Sequence, residues 1–176
     1  MDLIGPNEIK QKDSENELKS QAVTMIDPAT GWFETHEHDD KRAITVVNTP
    51  EQQWLTRHPR PSLIACDRGN EFIGHEFQTT CKNECGIKTK PTMVRNPQDN
   101  AIVERTHQAT VHMVRTFELE DTCMDEDDPW AGTLAATAFA VHSSHHATLQ
   151  ATPGQSVFRR DMTFNIKHVA NWESIK

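Results

Sequence analysis

An α/β fold, a five-stranded mixed sheet flanked by helices, is what the sequence predicts. Three strand-like runs come first, near residues 1 to 5, 21 to 27 and 31 to 37. Two further runs, near 62 to 66 and 86 to 90, then alternate with segments of helical spacing. Sequential strands followed by alternating helix and strand imply a sheet that is partly antiparallel and partly parallel, with helices packed against it. A chain of 176 residues is one domain by size, and 1–176 is read as a single unit.

The elements follow in order. The first run, Asp2-Leu3-Ile4-Gly5, leads into a polar stretch from Asn7 to Ser20, rich in Lys, Glu, Asn and Ser as an exposed hairpin loop is. Val23-Thr24-Met25-Ile26 is β-rich and ends at Asp27-Pro28-Ala29-Thr30-Gly31, where aspartate at turn position i and proline at i+1 suit a turn. A helix is predicted near 41 to 57, broken or kinked at Pro50, which lacks the helical donor. Ser62-Leu63-Ile64-Ala65-Cys66 reads as a buried strand that delivers Asp67 at its C-terminal end. A crossover helix near 71 to 84 returns the chain to the strand at 86 to 90. Helices near 98 to 118, 129 to 147 and 152 to 158 complete the chain. In the first of these, Ile102, Thr106, Ala109, Met113 and Phe117 fall within about 80° of one another on a helix of about 3.6 residues per turn. Glu104, Gln108 and Arg115 lie nearly opposite, with His107 beside them. In the next, Trp130, Leu134, Thr137, Ala138 and Val141 keep helical spacing.

Composition narrows the class. The apolar fraction of 35% is low and the mean hydropathy is −0.69, yet periodic elements and only seven glycines argue against wholesale disorder. No apolar run approaches the roughly 18 residues of a membrane helix, and no secretory signal follows Met1-Asp2. The expectation is an intracellular protein with no membrane partner. The formal charge is −8, which opposes nucleic-acid binding. Its distribution is uneven. Glu118 to Asp128 carries seven acids and no base, a solvated linker, whereas Lys88 to Arg115 holds five bases (Lys88, Lys90, Arg95, Arg105 and Arg115) against two acids.

Asp67 and Glu104 are separated by 36 residues, room for a crossover helix and a strand, so two carboxylates from distant segments can meet at one divalent cation. Hard cations prefer oxygen ligands and keep several waters, so a few carboxylates plus substrate phosphate suffice. The histidines suit this site less. His36-x-His38 beside Asp39 and Asp40 fits a polar loop, and His142, His145 and His146 fit surface or interface hydrogen bonds. Cys66, Cys81, Cys85 and Cys123 form no Cys-x-x-Cys pair, so reduced thiols rather than a structural zinc are expected.

Six blocks then resemble, in order, the catalytic core of retroviral and LTR-retrotransposon integrases, of gypsy type. They are Asp2-Leu3-Ile4-Gly5-Pro6, Asp27 to Glu34, Asp67-Arg68-Gly69-Asn70-Glu71-Phe72-Ile73-Gly74, Cys85-Gly86-Ile87-Lys88, Asn96-Pro97-Gln98 to Glu104-Arg105, and Thr152-Pro153-Gly154. The resemblance implies the RNase H-like fold. In that family the first acid lies on the first strand and the Thr-Gly turn follows the second strand, which selects Asp2 and leaves Asp27 to the turn. Asp2, Asp67 and Glu104 would then be the catalytic and metal-binding acids for two Mg²⁺ or Mn²⁺ ions. Lys88, Lys90, Arg95, Asn96, Gln98, Asn100, Arg105 and Gln108 would contact DNA, Gln108 replacing a common lysine. The implied activity is DNA 3′-end processing and strand transfer by a polynucleotidyl transferase. Element ends and target DNA would be its partners, a homodimer or larger assembly its working form, and the nucleus its place of action.

Two features point to a second class, a catalytically silent nucleic-acid-binding or interaction remnant. Asp2 has almost no strand ahead of it, and Arg159 stands where relatives carry glycine in Val-Phe-Gly-Arg-Asp. The expectation is a core truncated at the start of its first strand, lacking the family's zinc-binding and C-terminal domains.

Overall fold

The computed structural model describes residues 1–10, 17–38, 43–92, 108 and 129–164. Five strands form, but in two sheets rather than one. β1 (Asp2–Lys10), β2 (Glu17–Ile26) and β3 (Phe33–His38) make an antiparallel meander, while β4 (Leu63–Cys66) and β5 (Lys88–Pro91) pair in parallel. The single five-stranded sheet is therefore corrected. Just ahead of β1, the Met1 amino group donates to the Ala65 carbonyl of β4 at 2.8 Å.

The polar stretch from Asn7 to Ser20 was expected as loop, yet much of it is strand. Asn7 pairs with Ser20 and Lys10 with Glu17, continuing the ladder begun by Asp2 with Thr24. Polar residues extend a ladder readily because its hydrogen bonds come from the backbone. The register shifts between Ile4 and Asn7, where Gly5 adopts φ 104° and Pro6 has no N–H to offer.

The β2–β3 turn forms at Asp27. Its Oδ1 accepts from the Ala29 N–H at 3.1 Å, its Oδ2 accepts from the Thr30 hydroxyl at 2.6 Å, and Gly31 closes the turn at φ 71°. A Cβ at Gly31 would also lie 3.2 Å from Pro153 Cγ.

α1 (Ala43–Thr49) runs on into a wider π-helical turn, Pro50–Leu55, so Pro50 alters the winding without ending the helix. The crossover expected as one helix is split at Gly74, whose ψ of 145° separates α2 (Asn70–Ile73) from α3 (His75–Thr79) and its π-helical extension Thr80–Glu84. α4 (Pro129–Ser143) stops short of the predicted 147, and α5 (Pro153–Phe158) opens with a capping box between Thr152 and Gln155. The predicted helix at 98 to 118 falls outside the described residues except for Gln108, which is helical.

The meander is sandwiched. On one face Val23 and Met25 join Met1, Val46, Val47, Cys66, Phe72, Phe77 and Cys81 in the main core, with the Phe72 and Phe77 rings edge to face at 5.5 Å. On the other, Ile4 and Ala22 meet Trp130 and Leu134 of α4. No helix among the described residues is long and apolar enough to cross a membrane.

Candidate metal and DNA site

Asp2 opens β1 and Asp67 follows the last residue of β4. Asp2 is half-buried, and its Oδ1 accepts from the Leu3 N–H at 2.8 Å. The backbone on either side of Asp67 is clipped: the Thr92 N–H donates to the Cys66 carbonyl, and Arg68 Nε donates to the Thr92 carbonyl, each at 2.8 Å. The Met1–Ala65 hydrogen bond brings the two chain segments together, and the charges of both acids act on Cys66. Burial pushes its thiol pKa up, the Met1 ammonium pulls it back, and Asp67 and Asp2 both push it up.

β4 was expected to be buried, and only part of it is. Cys66 is buried and Ile64 half-buried, but Ala65 is exposed and Leu63 is 46% exposed. Its partner strand alternates in the same way, so exposed Lys88 and Lys90 pair with Leu63 and Ala65 on one uncovered face. Gln108 is exposed as well. Glu104, Arg95, Asn96, Gln98, Asn100 and Arg105 lie outside the described residues. Among those described, no group of three or more His, Cys, Asp and Glu side chains is placed to hold a metal. Asp2 and Asp67 are carboxylates, the oxygen chemistry that Mg²⁺ and Mn²⁺ take.

A second cluster went unread in the sequence. Trp32, Glu34, His36 and His38 alternate onto the face of β3 that meets α1 and the turn after it. Glu34 Oε1 accepts from Trp32 Nε1 at 2.9 Å and from His58 Nε2 at 2.8 Å, while its Oε2 lies 4.0 Å from Arg57. His38 is buried and hydrogen-bonded to the Thr49 hydroxyl at 2.5 Å, so the loop reading of His36-x-His38 is overturned. His142, expected to make surface or interface hydrogen bonds, is buried: it stacks on Trp32 with ring centroids 3.6 Å apart and donates to the Phe33 carbonyl at 2.7 Å. The period-2 run Trp-x-Glu-x-His-x-His was the available signal. Cys66 and Cys81 are free and buried and Cys85 is free and half-buried; burial, with Cys85 and Cys66 adding, pushes the Cys81 thiol up to about 11.

No protein-family model and no curated protein sequence matches the chain. Solved structures do. A chain of the simian T-cell lymphotropic virus intasome in complex with PP2A regulatory subunit B56 gamma matches with a TM-score of 0.68 at 16% identity, over 96% of this chain and 58% of that one. The chain thus spans little more than half the length of that relative. The catalytic core domain of BIV integrase matches with a TM-score of 0.61 at 17% identity, over 88% of this chain and 90% of that one. The HTLV-2 integrase catalytic core domain, solved in complex with magnesium in a trimeric form, gives 0.59 at 16% identity, over 88% and 92%. The likeness is one of fold: a mixed α/β chain folded as integrase catalytic cores are.

Proposed function

We propose that the chain is the catalytic core of an LTR-retrotransposon integrase of gypsy type, a metal-dependent polynucleotidyl transferase that processes DNA 3′ ends and joins them to target DNA. What supports this reading is the likeness of fold to integrase catalytic cores, together with the position of Asp2 at the start of β1 and of Asp67 just after β4, segments joined by the Met1–Ala65 bond. In this reading Glu104 supplies the third carboxylate, and the three acids hold Mg²⁺ or Mn²⁺. When bound, a pair of such ions activates the attacking oxygen and stabilises the leaving one during in-line displacement at phosphorus. The chain's own part is placement. Pairing of Asp2 with Thr24 fixes one carboxylate on a strand, and the Thr92–Cys66 and Arg68–Thr92 bonds fix the backbone that carries the other. Exposed Lys88 and Lys90 supply charge for phosphate beside them. Asn96, Gln98, Asn100, Arg95, Arg105 and Gln108 complete the proposed DNA contacts, and action on genomic DNA would place the protein in a nucleus.

A second reading is a nucleic-acid-binding module without turnover. It is favoured by the division of the described strands into two sheets, with β1 and β4 in separate ladders. A disintegration assay on a branched DNA with Mn²⁺ separates the two. Under the catalytic reading the chain turns the substrate over and Glu104→Gln reduces it to background. DNA binding with no turnover in either protein would leave only the silent module.

A further inference from the structure

At the end of α5 an aromatic ring and two arginines stand together at the surface. Phe158 is 52% exposed, its ring edge-on to Trp32 with centroids 5.2 Å apart. Arg159 and Arg160 follow, both exposed. Trp32 is also bonded to Glu34, whose second oxygen lies 4.0 Å from Arg57, a side chain half exposed. An accessible aromatic ring is therefore followed directly by two exposed arginines.

The nearby acids are already engaged. Glu34 serves Trp32, His58 and Arg57. Asp161 accepts from Gln155 Nε2 at 3.0 Å and from the Thr163 and Phe164 N–H groups at 2.7 and 2.8 Å. Among the described residues neither Arg159 nor Arg160 is ion-paired. Arg159 also sits at φ 57°, ψ 26°, the left-handed cap position that glycine fills without strain. Arginine there brings an exposed guanidinium at the expense of backbone strain, and an observed outlier of this kind points to a use.

We infer that Phe158, Arg159 and Arg160 form a binding surface for single-stranded nucleic acid, with an unpaired base on Phe158 and phosphates on the arginines. The inference rests on the proposed function for the kind of partner but uses none of its acids. Stacking rings interleaved with cations are how proteins hold unpaired strands, because every base offers a π face and every nucleotide a phosphate. Duplex DNA hides its base faces. A second copy docked here about a two-fold axis would set arginine against arginine.

The test is fluorescence anisotropy of labelled oligo(dT), and of a duplex of equal length, over a salt series in EDTA, so that a failed catalytic reading leaves the measurement untouched. Arg159→Gly is the key variant, since it relieves the backbone and its loss of binding cannot come from unfolding. It should lower the slope of log affinity against log salt by about 0.7. Phe158→Ala should weaken oligo(dT) about tenfold and the duplex little. Unchanged oligo(dT) affinity in both variants overturns the proposal. So does a loss of self-association in sedimentation with DNA binding intact, which would assign the face to a second copy.

Discussion

Arg159 illustrates how much one residue's backbone can decide. A non-glycine residue in the left-handed region costs about 1 kcal/mol, and its neighbours in the capped α5 turn hold it there. Arg159→Gly should stabilise the fold by about that amount and raise the Tm by about 2–4 °C, measured by thermal denaturation. An unchanged or lower Tm would mean that the arginine side chain makes compensating contacts. His142 and His36 decide the response to acid. Both have pKa values below the usual imidazole value, first because burial disfavours the charged ring; Arg57 adds to this for His36, while for His142 the Phe33 bond and Glu34 oppose it. The unfolded chain then binds more protons than the folded one as the pH drops below about 6.5, so stability is full above that value and lost as the pH falls through the folded values. Urea midpoints at pH 7.5 and 5.0 should show the decline, and His142→Phe, which keeps a ring on Trp32, should reduce it. A midpoint that rises on acidification would contradict the assignment.

At the scale of elements, α4 is the helix whose surroundings matter most. Its fifteen residues, Pro129–Ser143, contain no Asp, Glu, Lys or Arg. Trp130, Leu134 and Thr137 face the meander, while Ala135 is exposed and Phe139 is 52% exposed on the side away from it. A helix apolar all round is normally covered on both sides. Small residues would let a second helix approach closely, so a homodimer through this face is the expected assembly. Phe139→Glu should shift sedimentation to monomer by placing a charge in the contact, with circular dichroism unchanged; a chain already monomeric at high concentration would remove the idea. The elements most legible in the sequence were those set by local rules: the Asp27 turn, the short helix near 152 to 158 and the apolar spacing of α4. Less legible were the extended β1–β2 hairpin and the break at Gly74. Backbone pairing gives polar residues a place in a strand whatever their side chains, and a single glycine interrupts a helix that periodicity alone would carry through.

For the whole molecule, charge governs the partner. A net charge of −8 opposes DNA everywhere except where bases are gathered and acids are spent. Affinity for duplex DNA should therefore be weak and fall steeply with salt, and Lys88→Gln should flatten the salt slope by about 0.9, as loss of one phosphate contact requires. A slope unaffected by Lys88 would remove the β5 face from the DNA path. The division into two sheets belongs to this scale as well. The strand segments themselves were readable, but their partition depended on whether β1 pairs alongside β4, and among the described residues the two lie in separate sheets.

By itself the sequence determined the α/β class, the order of the elements and the placing of Asp27 in a turn, because periodicity, proline and glycine act over a few residues and leave a local signature. Tertiary structure alone decided which residues meet. It joined Met1, ahead of Asp2, to Ala65 on the strand before Asp67, and set Glu34 and His38 of β3 against His58 and Thr49. It also stacked His142 on Trp32 and set the Phe158 ring edge-on to the same indole. Contacts between segments far apart in the chain depend on helix positions and sheet register, to which no short stretch of sequence is sensitive.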